Sequence, residues 1–227
     1  GRDREFDLLM AAFDVEGSIA HVTMLGEQGL MTAEDSKTAV AALNDIVEQI
    51  KEGRFEINPQ VEDVHSQIEF MLTEKIGDIG KRIHTGRSRN DQVALDIKLF
   101  LRAQITAIKE ETLQLFTLLL SKSETHKNVL LPGYTHLQIA MPSSIGMWLG
   151  AYAESLVDDM EFLAAAYQVV NKNPLGSGAG YGSSFSINRN RTTELMGFKT
   201  LNYNSAYAQM SRGKTEKLTA MAIASVA

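Results

Sequence analysis

A continuous helical pattern over residues 93–120 constrains the fold more than any other stretch of this sequence. Apolar residues recur there with helical spacing on one face, at Ile97, Leu101, Ile105, Ile108, Phe116 and Leu119. Leucines at positions 95, 99, 113 and 118 cover other faces. At about 1.5 Å per residue such a helix is roughly 40 Å long, and apolar coverage of several faces requires burial on several sides. The pattern predicts the central helix of a bundle that also meets other subunits.

The remaining segments favour helices as well, so the predicted fold class is all-α. Further helices are expected at residues 3–29, 32–51, 61–75, 143–170 and 190–196, with a last one from about 205. Thr32 with Asp35 resembles an N-cap, and Pro142 suits the first turn of the helix that follows it. A polar, glycine-rich connection over 171–188 separates the later helices.

The order of these helices predicts two domains. Residues 1–86 form a small helical N-terminal domain, and residues 87–227 form part of a long helical bundle. The apolar run over 218–227 reaches the last residue without a capping signal. The bundle is therefore expected to be incomplete at its C-terminal end, and the chain to be a segment of a longer protein.

Composition excludes several function classes. A net charge of -6 gives no basic footprint for nucleic acid. The absence of cysteine excludes disulfides and thiolate metal sites. The apolar segment over 143–170 contains four carboxylates, which would be costly inside a bilayer, so no membrane span is predicted. The five histidines form no H-E-x-x-H pattern, which leaves little support for a metal site.

Residues 84–92 (His-Thr-Gly-Arg-Ser-Arg-Asn-Asp-Gln) are unusually dense in hydrogen-bonding groups. Arg87 and Arg89 flank Ser88, and guanidinium groups suit bidentate binding of carboxylates. Asn90 can donate and accept, which suits the orientation of a polar ligand. A polar run of this kind is usually a solvated loop, but this one immediately precedes a long helix, whose N-terminus favours anions. The position favours a site for a carboxylated substrate.

Other candidate residues have a structural reading beside the functional one. His136 lies before a long helix with Thr135 and Gln138, and histidine is the usual acid or base near neutral pH, although a lone histidine is more often structural. Asp63 and His65 begin the third helix, where an aspartate can simply stabilise the helix N-terminus. The glycine-rich stretch 173–184 and the segment 212–215 imitate phosphate loops, but their spacing is wrong for nucleotide binding.

Four blocks resemble the argininosuccinate lyases of the fumarase/aspartase superfamily in order and spacing. They are residues 62–65 (Glu-Asp-Val-His), 84–92, 131–138 (Leu-Pro-Gly-Tyr-Thr-His-Leu-Gln) and 173–179 (Asn-Pro-Leu-Gly-Ser-Gly-Ala). The resemblance covers essentially the whole chain. It implies a bundle fold of the fumarase/aspartase type, a homotetramer whose active sites are shared between subunits, and a cytoplasmic enzyme of arginine biosynthesis.

The resemblance also implies the reaction and its residues. These lyases release arginine and fumarate from argininosuccinate by a reversible β-elimination, which requires no redox or metal cofactor. His136 is then expected to perform acid/base work and Thr135 to bind substrate beside it. The other expected substrate-binding residues are Ser88, Arg89, Asn90, Asp63, His65 and Gln138.

Two departures from the family pattern limit these expectations. Asp3 stands where the family usually has a serine, and the family's loop G-S-S-x-M-P-x-K-x-N-P, which carries a catalytic serine, does not occur in these residues. Residues 1–227 alone are therefore expected to be inactive. Two alternatives stay open: another fumarate-releasing enzyme such as adenylosuccinate lyase or aspartase, and a catalytically silent, crystallin-like structural protein.

Overall fold

The computed structural model describes residues 3–227, with side chains from residue 5 onward, so the doubtful contact of the Asp3 side chain lies outside the described part. The helices are α1 (Asp3–Glu27), α2 (Ala33–Lys51), α3 (Val64–Ile76), α4 (Asp78–Arg82), α5 (Arg89–Thr125), α6 (Ile145–Val170), α7 (Arg189–Leu195), α8 (Ser205–Met210) and α9 (Lys214–Val226). The prediction of a helical fold class is confirmed, and most predicted bounds agree within a few residues.

Four short strands depart from the purely helical expectation. Strands β1 (Leu130–Thr135) and β2 (Gln138–Ser144) form an antiparallel hairpin, and β3 (Lys172–Asn173) pairs in parallel with β4 (Thr200–Leu201). The predicted start of α6 at residue 143 was therefore two residues early, because positions 143 and 144 still pair with β1. The prediction of one continuous last helix from about residue 205 was also wrong, because Gly213 has a φ of +79° and separates α8 from α9.

The chain divides into two compact units. One comprises residues 1–101 and 170–214, and the other comprises residues 102–169 and 215–227. The predicted boundary at residue 86 thus lies inside the first unit. Helix α5 begins in the first unit and ends in the second.

The first unit contains the main apolar core, formed by α1, α2 and α3. Thr32 caps α2 by accepting a hydrogen bond from the backbone N–H of Asp35, as its position before the helix predicted. Fully buried Leu25, Leu43 and Leu72 bring the three helices together. Residues 5–27 of α1 are long and apolar enough to cross a membrane, but 56% of the segment's most apolar window is buried, as in a core helix. The start of α5, where the polar run lies, packs through Leu95 and Leu99 in a second, smaller apolar cluster with Ala20 of α1.

The second unit exposes many large apolar side chains on the helices it contains. On α5 they are Leu113, Leu115, Leu118 and Leu120, and on α6 they are Met147, Trp148, Tyr152, Val157 and Phe162. Exposed apolar surface of this extent is typical of interaction sites. The observation agrees with the predicted burial of these helices against other chains, which stays a prediction.

Candidate active site at the start of α5

The N-terminus of α5 is built by a local capping arrangement within the polar run. Ser88 immediately precedes the helix, and its Oγ accepts a hydrogen bond from the backbone N–H of Asn90 at 3.3 Å. Asp91 reaches back and accepts from the backbone N–H of Ser88 at 2.9 Å. This reciprocal pattern is a capping box in which aspartate replaces the usual glutamate. The sequence Ser-Arg-Asn-Asp thereby starts the helix and leaves the Asn90 side chain exposed at its end.

Arg89 is held at this helix end by three neighbours. Its Nε lies 3.2 Å from Oδ2 of Asp63, its Nη2 donates to Oγ of Ser66 at 3.2 Å, and its Nη1 donates to Oε1 of Gln92 at 3.0 Å. The side chain remains 36% exposed. A guanidinium that is fixed in orientation but partly open to solvent can still bind a carboxylate. The structure thus brings Asp63 and Arg89 together as neighbours.

Arg87 has a different role from Arg89. It is buried, its Nη1 donates to Oγ of Ser18 at 3.0 Å, and its Nε has no hydrogen-bond partner among the described residues. Burial lowers the pKa of Arg87, while the charges of Asp14, Asp91 and Asp96 oppose that shift. Of the two arginines expected to bind a ligand, Arg89 is therefore the better placed. Arg87 instead balances the negative charge of buried carboxylates.

Asp91 ties the glycine-rich connection to the polar run. Its second carboxylate oxygen accepts hydrogen bonds from the backbone N–H groups of Gly176 and Gly178, each at 2.9 Å. Gly176 has a φ of +83° and Gly178 a φ of +61°, backbone angles that residues with a side chain adopt only under strain. Residues 84–88 and the segment around 178–185 then line a cleft of about 490 Å³. A cleft of this size suits a small polar ligand.

Asp63 performs the structural role that its position suggested and also contacts the candidate site. It is the N-cap of α3 and accepts from the backbone N–H of Ser66 at 2.7 Å, while its other oxygen faces Arg89. Burial alone would raise the pKa of Asp63, but the hydrogen bonds from Ser66 and the charge of Arg89 bring it below its usual value. Asp63 is therefore ionised and helps to orient Arg89.

His65 leads to two carboxylates that sequence reasoning missed. Its Nδ1 lies 2.9 Å from Oδ1 of Asp14 and 3.5 Å from Oδ2 of Asp96. Asp14, His65 and Asp96 are all buried, and one ligand atom of each lies within 4.8 Å of the others, a grouping that could hold a metal ion. No short-range spacing reveals it, because Asp14 and His65 are 51 residues apart. The available signal was an acid within the apolar stretch of a core helix.

The other predicted residues lie on the hairpin of the second unit. Thr135 ends β1, Gln138 begins β2, and all of Thr135, His136 and Gln138 are exposed. His136 and Leu137 form the two-residue turn with φ values of +51° and +62°. Asparagine and glycine are the usual residues in such a turn, so His136 and Leu137 are held in an uncommon conformation. Strain of this kind clusters at functional sites and agrees with a functional role for His136, which stays a prediction.

Comparison with known proteins identifies similar sequences over the whole chain. The family described as Lyase matches residues 3–225. The argininosuccinate lyase of Bacteroides thetaiotaomicron is 61% identical over 227 residues, which cover 100% of this chain and 51% of that protein. The argininosuccinate lyase of Neisseria meningitidis serogroup A is 44% identical over 217 residues, covering 96% of this chain and 47% of that protein. The chain thus spans about half the length of the curated relatives it matches.

Solved structures show the same fold. A variant of EDDS lyase with bound fumarate superposes with a TM-score of 0.84 at 29% identity, covering 96% of this chain and 43% of that one. A protein described as fumarate lyase:delta crystallin from Brucella melitensis gives a TM-score of 0.77 at 17% identity, covering 95% and 52%, and shows the fold alone.

Proposed function

Because the chain belongs to the lyase family that matches residues 3–225, we propose that the full-length protein is an argininosuccinate lyase. It would cleave argininosuccinate reversibly into arginine and fumarate, as a cytoplasmic enzyme of arginine biosynthesis. Relatives that carry this name are 57–61% identical over all 227 residues, which supports the proposal. The family resemblance further suggests a homotetramer with active sites shared between subunits.

The arrangement around Arg89 is the observation that carries the proposal. Arg89 is fixed by Asp63 and Gln92 at the N-terminus of a 37-residue helix. Ser88 and Asn90 flank it, and Asn90 is exposed. The positive end of the helix dipole, a guanidinium and an amide together suit a carboxylate of a succinyl group.

The elimination requires a site that stabilises negative charge. A base removes a proton from the carbon next to one carboxylate, charge spreads into that carboxylate, and the carbon–nitrogen bond then breaks. A site accelerates this step only if it binds the doubly charged carboxylate more strongly than the ground state. Ser88, Arg89 and Asn90 would supply that stabilisation. Thr135 and His136 would approach from another subunit, with His136 in acid/base work and Gln138 beside it.

A substitution of Asn90 tests this role in the full-length protein. We expect Asn90→Ala to reduce kcat/KM for argininosuccinate by about 100-fold, the loss typical of a removed transition-state donor. Asn44→Ala is the matched control, because Asn44 is an exposed asparagine on α2 whose amide donates to the carbonyl of Val40, one turn earlier in the same helix. Fumarate release is followed by ultraviolet absorbance. Equal activity of the Asn90 variant and the control would contradict the proposed site.

A further inference from the structure

A buried polar cluster lies directly behind Arg89, where α1, α3 and α5 meet. Oδ1 of Asp14 accepts two hydrogen bonds, from Nδ1 of His65 at 2.9 Å and from Nε2 of Gln92 at 2.6 Å. Asp14, His65, Gln92 and Asp96 are all more than nine-tenths buried. Burial of a carboxylate costs free energy unless it is paired and hydrogen-bonded, so each partner of Asp14 contributes to keeping it in place.

Asp14 is the member of this cluster that is ionised at neutral pH. Burial alone would raise the pKa of Asp14, but the hydrogen bond and charge of His65, the charge of Arg87 and the hydrogen bond of Gln92 bring it below its usual value. Burial and the neighbouring charge of Asp14 raise the pKa of Asp96 well above its usual value. Asp14 therefore gives up its proton more readily than Asp96. The proton on Nδ1 of His65 points to Asp14, which leaves Nε2 as the nitrogen available to other groups.

These hydrogen bonds argue for a polar cluster rather than a metal site. A metal among Asp14, His65 and Asp96 would need the lone pair of His65 Nδ1, but that nitrogen is directed at Oδ1 of Asp14. The nearby guanidinium of Arg87 already supplies positive charge to both carboxyl groups.

Gln92 links this cluster to the candidate site. Its Nε2 donates to Asp14 while its Oε1 accepts from Nη1 of Arg89 at 3.0 Å. An ionised carboxylate can only accept, and a guanidinium can only donate. The two partners therefore fix the orientation of the Gln92 amide, and a rotated amide would face both neighbours with the wrong group.

We propose that Asp14 is a positioning residue of the substrate site, acting on Arg89 through the amide of Gln92. This inference rests on the proposed function, in which Arg89 binds a substrate carboxylate. Asp14 does not touch substrate. Its ionised carboxylate selects the amide orientation that presents a carbonyl to Arg89, and that carbonyl together with Asp63 and Ser66 holds the guanidinium in place.

A double-mutant cycle in the full-length protein tests the proposal. Asp14→Asn is expected to raise KM for argininosuccinate roughly tenfold with a smaller change in kcat, which corresponds to about 1.4 kcal/mol. Arg89→Ala raises KM by itself, and adding Asp14→Asn to it is expected to change KM by less than about twofold. A merely structural role predicts instead that the two effects multiply. An unchanged tenfold effect of Asp14→Asn in the Arg89→Ala background would overturn the proposal.

A second variant keeps the test decisive if Asp14→Asn fails to fold. Gln92→Leu removes the link but leaves Asp14 bonded to His65, and it is expected to raise KM by a similar factor. Thr112→Val is the control, because Thr112 is a buried α5 residue whose hydroxyl donates to the backbone carbonyl of Ile108, one turn earlier in the same helix. A normal KM in Gln92→Leu would overturn the proposal.

Calorimetric titration with fumarate separates this proposal from the proposed function. If the wild-type protein binds fumarate but does not turn over argininosuccinate, the proposed function is wrong, and the same cycle in Kd decides the role of Asp14. If the wild-type protein turns over argininosuccinate but the effects of Asp14→Asn and Arg89→Ala on KM multiply, only the positioning role of Asp14 is wrong. A protein that neither binds fumarate nor turns over argininosuccinate contradicts both.

Discussion

Replacing His21 by glutamine is expected to remove much of the acid sensitivity of the first unit. His21 is buried on α1, and its Nε2 donates to the backbone carbonyl of Thr85 at 2.9 Å, which places the proton on that nitrogen. Its Nδ1 is buried, and no atom in the described part of the chain forms a hydrogen bond with it. Burial, with a contribution from the charge of Arg87, lowers the pKa of His21 from 6.5 to about 3.

The sign of the effect follows from this shift. The unfolded chain takes up a proton on His21 below about pH 6.5, whereas the folded chain resists it until about pH 3. Above about pH 6.5, His21 therefore does not lower the free energy of unfolding. Between about pH 6.5 and pH 3, the free energy of unfolding falls as the pH drops. Between pH 7 and pH 5 the loss from this one group is about 2 kcal/mol, since each pKa unit is worth about 1.4 kcal/mol.

Urea unfolding of the full-length protein at pH 7 and pH 5 measures this loss. The wild-type protein should lose about 2 kcal/mol more than His21→Gln between the two pH values. Glutamine can still donate to the carbonyl of Thr85, so the variant keeps that hydrogen bond. His126→Gln, which replaces a half-buried histidine after α5, is the control for the loss of an imidazole. Equal losses in the wild type and His21→Gln would refute the reasoning.

Three further substitutions test contacts around the candidate site. Asp91→Asn keeps one acceptor oxygen and replaces the other by an amide that only donates, so at least one of three backbone N–H groups loses its acceptor. This should lower the free energy of unfolding by about 2 kcal/mol in urea unfolding, and no change would contradict the anchoring role. Gly176→Ala should lower the free energy of unfolding by about 2 kcal/mol or more, because φ is +83° and a Cβ would lie 2.7 Å from Cγ of Arg189. The control Gly29→Ala has a φ of +70° but open space around its Cβ, so it should lower the free energy of unfolding by only about 1 kcal/mol in the same assay. Asp96→Asn should stabilise the protein at pH 7, and more so at pH 8 than at pH 5. The reason is that the pKa of Asp96 is raised in the folded state, so the wild type loses stability as the pH rises above the pKa that Asp96 has in the unfolded chain. A constant difference between Asp96→Asn and the wild type across these pH values would contradict the shifted carboxyl.

The long helices were predictable because their apolar patterns are local. The pattern over residues 93–120 identified α5, and the capping chemistry of Ser88 and Asp91 extends that helix to Arg89. The hairpin was not predictable in the same way. Most of its strand residues are exposed, so they show no apolar alternation, and its turn residues His136 and Leu137 are not typical of hairpin turns.

From composition alone, the candidate site was predictable only where its residues are neighbours in sequence, and Asp63 and His65 were expected only through the family resemblance. The run containing Ser88, Arg89 and Asn90 stood out by its composition. Asp14 did not, because an isolated acid on a helix is usually exposed. Its partners are 51 and 78 residues away, and only the packing of three helices brings them to one carboxylate. The only local signal for such burial is an acid within the apolar stretch of α1, and it does not reveal the partners of Asp14.

The most direct test of the proposed function is to give the full-length protein argininosuccinate, adenylosuccinate and aspartate separately and follow fumarate in each. Fumarate from argininosuccinate alone, with arginine in equal amount, is the predicted result. Release from either other substrate in preference would identify a different fumarate-releasing lyase. A folded full-length protein that releases no fumarate from any of the three would contradict the assignment as an enzyme and favour a structural, crystallin-like role.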